Sequence, residues 1–167
     1  SWNYEVDRTE LMETYAKWNT SLLQLIEASD KYYKWALYDR EPLEHWVKGR
    51  VTLLGDSAHP MLPYLGQGAC MAVEDGIVLA KAVSRSPDDL DLALSDYERL
   101  RKPRSTRAQL GSRHRAKQNH LASPFARLKR DVGMAWRNRF GSDKSPTRAE
   151  WLYDYDASVE DGYSTPT

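Results

Sequence analysis

The stretch Gly49-Arg50-Val51-Thr52-Leu53-Leu54-Gly55-Asp56-Ser57-Ala58-His59-Pro60-Met61-Leu62-Pro63-Tyr64-Leu65-Gly66-Gln67-Gly68-Ala69 decides how this chain is read. Val51 to Leu54 is a short apolar run with no polar face, the pattern of a strand buried in a sheet covered on both sides. It closes at Gly55-Asp56, which places one carboxylate at the strand end, where ligands of open α/β sheets sit. A loop from Ser57 to Leu65 follows, stiffened by Pro60 and Pro63. The next helix is predicted from Leu65 or Gly66 to about Ser84 and is dense in small residues. Each glycine weakens a helix by roughly 1 kcal/mol relative to Ala. Gly66, Gly68 and Gly76 are therefore read as points of close approach by another backbone or a ligand. A helix start offers free N–H groups and partial positive charge. Strand end, loop and helix start together combine a hydroxyl-accepting carboxylate with a backbone anion cradle. The common phosphate loops do not fit. Met71 stands where GxGxxG needs its third glycine, and no Gly-Lys-Ser/Thr follows.

Upstream, Asp7 and Glu10 form a capping box. Leu11, Tyr15, Trp18, Leu22, Leu25 and Ile26 recur at steps of three and four, predicting one amphipathic helix from Arg8 to Ser29 with a core-facing stripe. Tyr32 to Tyr38 alternates like a strand, and Pro42 ends it. Downstream, Pro87-Asp88-Asp89 starts a helix faced by Leu90, Leu94, Tyr97 and Leu100. Pro103 is expected to break or kink it, with a second helical stretch running towards His120. Ser123-Pro124 caps another helix, striped by Phe125, Leu128, Val132 and Trp136. Gly141 to Pro146 reads as a linker, Trp151 to Ala157 as an aromatic docking tail, and the chain beyond Gly162 as a frayed end.

The sequence has 167 residues, 24 Lys+Arg, 24 Asp+Glu and one Cys. That length suits one domain or part of a larger one. The lone Cys70 allows no intramolecular disulfide, reads as a buried small hydrophobe, and suits a reducing, cytoplasmic setting. No apolar run approaches the roughly 18 residues of a membrane span, and no secretory signal is visible. Zero net charge argues against a wholly basic nucleic-acid binder. Charge is nonetheless uneven: Arg99 to Arg139 holds 13 Lys/Arg against the single acid Asp131. This stretch is read as a solvated helical face, because it has little aromatic interleaving to stack bases; the rival is an anion-binding surface. The tail from Glu150 to Asp161, with five acids and no base, is expected to fold back on it. His45, His59, His114 and His120 have no metal-ligand spacing, and no nucleophile elbow occurs.

Gly55-Asp56-Ser57-Ala58-His59-Pro60, then Pro63, Gly66-Gln67-Gly68-Ala69 and Glu74-Asp75, resembles the second flavin-binding motif of single-component FAD-dependent aromatic hydroxylases, the salicylate hydroxylase and 3-hydroxybenzoate 6-hydroxylase group. The flanks resemble it too: Trp35 to Arg40 before the motif, Tyr97-Glu98 to Arg104 after it, and Trp151-Leu152-Tyr153-x-Tyr155-Asp156-Ala157 at the end. The resemblance implies a helix-rich α/β fragment from the C-terminal portion of a flavoprotein monooxygenase fold. It implies FAD as cofactor, NADH or NADPH as reductant, O2 as co-substrate and a small aromatic substrate, with no nucleic-acid partner. Asp56 would accept hydrogen bonds from the ribityl hydroxyls, and the backbone from Gly66 to Ala69 would face the pyrimidine edge of the isoalloxazine. Gly55, Asp56, Pro63, Gly66, Gln67, Gly68 and Ala69 form the implied cofactor set; His59, Pro60 and Met61 line the substrate side. His59 is read as a packing or hydrogen-bonding residue, and no catalytic acid or base is assigned.

Three positions depart from the resembled pattern: Gly66, Cys70 and Gly76 stand where the family carries Ala. The family's N-terminal GxGxxG unit has no counterpart in these residues. The expectation is therefore roughly the last two-fifths of such an enzyme, missing an N-terminal dinucleotide-binding domain. Within it, 1–48 would end the substrate-binding region, 49–85 contact FAD, 86–140 form C-terminal helices, and 141–167 serve as linker and docking tail. The alternative is a truncated, non-catalytic product acting as a binding module or remnant.

Overall fold

Short antiparallel strand pairs and longer helices follow one another as β1 (Asn3–Glu5), α1 (Arg8–Thr14), α2 (Thr20–Glu27), β2 (Tyr33–Trp35), β3 (Val47–Lys48), β4 (Val51–Thr52), α3 (Gly68–Arg85), α4 (Leu90–Asn119), α5 (Pro124–Phe140) and α6 (Glu150–Tyr153). The computed structural model describes residues 3–140 and 150–159. The chain divides into two compact units between Leu37 and Tyr38.

In the first unit β1 pairs with β2, Asn3 opposite Trp35 and Glu5 opposite Tyr33. Val6 and Ile26 are buried. The single helix predicted over Arg8 to Ser29 is two helices. Asn19 starts the second by accepting the Ser21 N–H on its side chain at 2.9 Å. Such a side chain competes with the backbone and favours a cap over helix continuation. Two members of the predicted core stripe, Trp18 and Leu25, are exposed. The strand expected over Tyr32 to Tyr38 narrows to Tyr33–Trp35.

In the second unit β3 and β4 form a hairpin, with Gly49 at φ 56° in the turn. The strand expected to be covered on both faces is only Val51–Thr52, and Val51 is exposed. Among the described residues it pairs with β3 alone, so no flanking strand completes a sheet around it. Beyond the hairpin, α3 buries Met71, Asp75, Val78 and Ala82 at steps of four, three and four. This stripe lies against α4, which buries Ala93, Tyr97, Arg101, Ser105 and Ala108. Small side chains let the helices approach closely, and Trp46, Ala58, Val78, Ala82, Ala93, Tyr97 and Ala157 make the main core. Met71, Ala108 and Leu152 make a second cluster.

Pro103 does not end its helix: α4 runs 30 residues through it. An interior Pro costs a helix about 3 kcal/mol, and ion pairs from Arg101 and Arg104 to α3 hold the backbone on both sides of it. Pro124 opens α5 as expected, with the Ala126 N–H reaching Ser123 Oγ at 3.4 Å. Its stripe of Phe125, Leu128, Val132 and Trp136 is exposed in this structure, not covered. Residues 150–159 lie on α3 and α4. Leu152 and Ala157 are buried, the Arg104 guanidinium stacks 3.9 Å from the Tyr155 ring centre, and Arg107 stacks 3.9 Å from that of Trp151. Lys81 Nζ donates to the Ala157 and Ser158 carbonyls at 3.0 and 2.6 Å. The predicted linker from Gly141 to Pro146 and the end beyond Gly162 lie outside the described residues. Among the described residues no helix is long and apolar enough to cross a membrane.

Candidate functional site

Between β4 and α3 the chain makes two 3-10 turns, Gly55–Ser57 and Pro63–Leu65. Helix α3 therefore starts at Gly68, later than predicted, because Gly66 is left-handed at φ 64° and breaks the path. Gly55 is also left-handed at φ 60°, and a Cβ there would meet Ala72 Cβ at 3.0 Å. Both the backbone and the space require glycine at Gly55. A Cβ on Gly66 would meet nothing within 4 Å. One on Gly68 would sit 3.7 Å from Asp56 Oδ1 and 3.9 Å from Met61 Cγ. The Asp56 carboxylate thus lies beside the first turn of α3.

Asp56 is exposed, and among the described residues none donates a hydrogen bond to its carboxylate. Gln67 is buried and caps α3 without a side-chain bond. The first N–H groups of a helix have no partner within it, and here Ala69 and Cys70 are exposed, Cys70 against the expected burial because it lies in the open first turns of α3. Of the other residues singled out in the sequence, Pro63 is exposed, while Pro60 and Met61 are half-buried.

The intervening loop is fastened through its carbonyl oxygens. Arg40 donates to those of Ser57 and Ala58, the latter at 3.2 Å. Gln109 Nε2 donates to Pro60 O at 2.9 Å, and Ser112 Oγ to Leu62 O. Arg113 in turn grips Asp39 at 2.7 and 3.1 Å, Glu41 at 2.6 Å and the Arg40 carbonyl at 2.9 Å. That guanidinium holds the Asp39 carboxyl below the usual carboxylate range.

His59, assigned by resemblance to the substrate side with Pro60 and Met61, is turned inward. It is buried, with Nε2 2.6 Å from Asp75 Oδ2 and its ring 5.4 Å from that of Trp46. Asp75 also accepts the Gly55 N–H at 3.0 Å and Arg101 Nε at 2.7 Å. Arg101 Nη1 lies 2.8 Å from Glu74 Oε2, and Glu74 pairs with Arg104 through two contacts of 2.8 Å. Burial pushes the Asp75 carboxyl up, but the His59, Arg101 and Gly55 hydrogen bonds outweigh it and hold the group below its ordinary value. Burial likewise lowers Arg101, and its hydrogen bond and charge pairing with Asp75 more than restore it. Tyr97, raised by burial, donates its hydroxyl to Leu53 O at 3.1 Å. Sequence reading took His59 as a packing or hydrogen-bonding residue on the substrate side and assigned Asp75 and Arg101 no role. The signal of that pair was a charge inside each buried stripe: Asp75 between Met71 and Val78, and Arg101 one turn after Tyr97.

Comparison with known proteins identifies the family. The family model of the FAD binding domain matches residues 5–110. The chain is 37% identical over 157 residues to the 3-amino-4-hydroxybenzoate 2-monooxygenase PtnB3 of Streptomyces platensis, covering 94% of this chain and 38% of that protein. It is 38% identical over 152 residues to 3-hydroxybenzoate 6-hydroxylase 1 of Aquipseudomonas alcaligenes, covering 89% and 36%. Among solved structures, a salicylate hydroxylase substrate complex superposes with a TM-score of 0.74 at 27% identity, over 93% of this chain and 37% of that one. The chain spans little more than a third of the length of these relatives. The family match encloses the Asp56 turn, the start of α3 and the Asp75–Arg101 pair, and the chain belongs to the FAD binding domain family.

Proposed function

We propose that this chain supplies the ribityl and isoalloxazine half of the FAD site in a monooxygenase that hydroxylates a phenolic or aromatic acid, using NADH or NADPH and O2. One observation carries the reading: an exposed carboxylate with no donor among the described residues sits beside an open helix start, and a Cβ on Gly68 would be 3.7 Å from its oxygen. The donor set fits the cofactor. A carboxylate accepts from sugar-alcohol hydroxyls, and helix N–H groups donate to carbonyl or anionic oxygen. When bound, FAD supplies the electron transfer and oxygen activation.

The chain's own residues orient and stabilise. Asp56 accepts from the ribityl hydroxyls. The N–H groups of Gly68 and Ala69 face the pyrimidine edge and favour negative charge there. Gly55 and Gly66 shape the backbone on either side, and Gln67 closes the helix start from beneath. Pro63 stiffens the approach, while Pro60 and Met61 border the substrate side. His59 serves that side from within, by holding the loop.

We assign the ADP half of FAD to a dinucleotide-binding unit outside these residues, and the working enzyme to the cytoplasm. The substrate class is supported by the relatives, whose names give 3-amino-4-hydroxybenzoate, 3-hydroxybenzoate and salicylate. The test is Asp56→Ala in the full-length protein, with FAD affinity read by flavin fluorescence. We expect at least tenfold weaker binding, about the loss of one charged hydrogen bond. Unchanged affinity overturns the role of Asp56. NAD(P)H oxidation across a panel of hydroxybenzoates tests the substrate class.

A further inference from the structure

Asp75 is fully buried and engages both carboxylate oxygens. Oδ2 takes the Gly55 N–H at 3.0 Å and His59 Nε2 at 2.6 Å, while Oδ1 takes Arg101 Nε at 2.7 Å. Gly55 and His59 bracket Asp56 in the sequence. One side chain of α3 therefore holds both ends of the turn that carries Asp56. The same helix, two turns earlier, presents the N–H groups beside that carboxylate. The His59 side chain makes no second polar contact, since its Nδ1 is buried without a partner among the described residues.

We propose that Asp75 is a positioning residue for the flavin site: through Gly55 and His59 it fixes the Asp56 carboxylate against the start of α3, so that both meet the cofactor at once. This rests on the flavin reading above and extends it to a residue that does not touch FAD. The ionised carboxylate is needed because it accepts from all three donors. An Asn amide would turn its NH2 either on the Gly55 N–H or on Arg101 Nε. Arg101 keeps its Glu74 partner at 2.8 Å in either case, so α3 and α4 retain a charge pair when Asp75 is neutralised.

The experiment is a double-mutant cycle in the full-length protein with Asp56→Ala and Asp75→Asn. The readouts are the FAD dissociation constant, the visible circular dichroism of bound flavin, and the melting temperature of the flavin-free protein. Asp75→Asn is expected to weaken FAD binding about tenfold when Asp56 is present and less than twofold in the Asp56→Ala background, because the effect passes through Asp56. The dichroism should change with Asp75→Asn in the first background only. Equal weakening in both backgrounds, or none in either, overturns the inference and leaves the flavin reading standing. Asp56→Ala without effect removes the flavin role of Asp56, and this inference with it. If Asp75→Asn yields no folded protein, His59→Leu and His59→Gln replace it. Leu removes the donor to Asp75 and should weaken FAD binding several-fold, whereas Gln restores a donor and should rescue it. Equal behaviour of the two overturns the inference.

Discussion

Arg101 and Asp75 meet inside the molecule with Nε 2.7 Å from Oδ1, and neither side chain reaches solvent. The pair ties the centre of α4 to α3. A buried ion pair adds little over well-packed apolar residues, but removing one partner strands the other. Arg101→Leu should therefore destabilise the protein by about 3–5 kcal/mol. Urea unfolding measures it. A loss below about 1 kcal/mol would show that the Gly55 and His59 donors alone satisfy Asp75.

Acid should unfold the protein partly through Asp75. Its folded carboxyl lies below the ordinary value, so its contribution is present above the unfolded pKa of about 3.9 and is lost as pH falls through the folded one. Asp39, lowered by Arg113, acts in the same direction. Melting temperature should hold steady above about pH 5 and fall below about pH 4. Asp75→Asn should start lower and fall less steeply. Parallel curves for wild type and variant would remove Asp75 as a source.

Deleting Trp151 to Thr167 should lower the melting temperature by several degrees. The deletion takes Leu152 from beside Met71 and Ala108, and the rings from Arg104 and Arg107. Burial of one Leu alone is worth about 1.5–3 kcal/mol. An unchanged melting temperature would show that the tail adds nothing.

Gly66→Ala and Gly55→Ala should differ in cost. Both residues are left-handed, which costs a non-glycine roughly 1–2 kcal/mol. A Cβ at Gly66 meets open space, so that strain is its whole cost and Ala is tolerable. At Gly55 the Cβ also meets Ala72 Cβ at 3.0 Å, and the turn must move. Denaturation midpoints of the two variants decide it; equal losses would refute the close approach at Gly55.

Where apolar spacing is local, the sequence showed the fold. The density of small residues marked α3, and Leu94 and Tyr97 marked the first half of α4. The break between α1 and α2 was hidden because Asn19 sits inside an otherwise regular stripe. The passage of α4 through Pro103 depends on partners in α3, which no local propensity records. In the site, Asp56, Gly66 and Gly68 stood out by type and spacing. The inward turn of His59 did not, nor did the grip of Arg40, Gln109 and Ser112 on the loop carbonyls, since each joins segments distant in sequence. The stripe of α5 was legible in the sequence but its exposure was not, because periodicity reports amphipathicity and not what covers it.

Asp75 draws its partners from 20 and 16 residues upstream and 26 residues downstream. On a ribosome, where the chain lengthens by about 5–20 residues per second, Asp56 emerges well before the arginine that completes its support. The turn thus spends the first part of its life unanchored, and it takes its final shape only when α4 docks. On the flavin role proposed above, cofactor capture is accordingly a late step in biogenesis, and FAD supplied to a nascent chain ending before α4 would find no finished site to hold it.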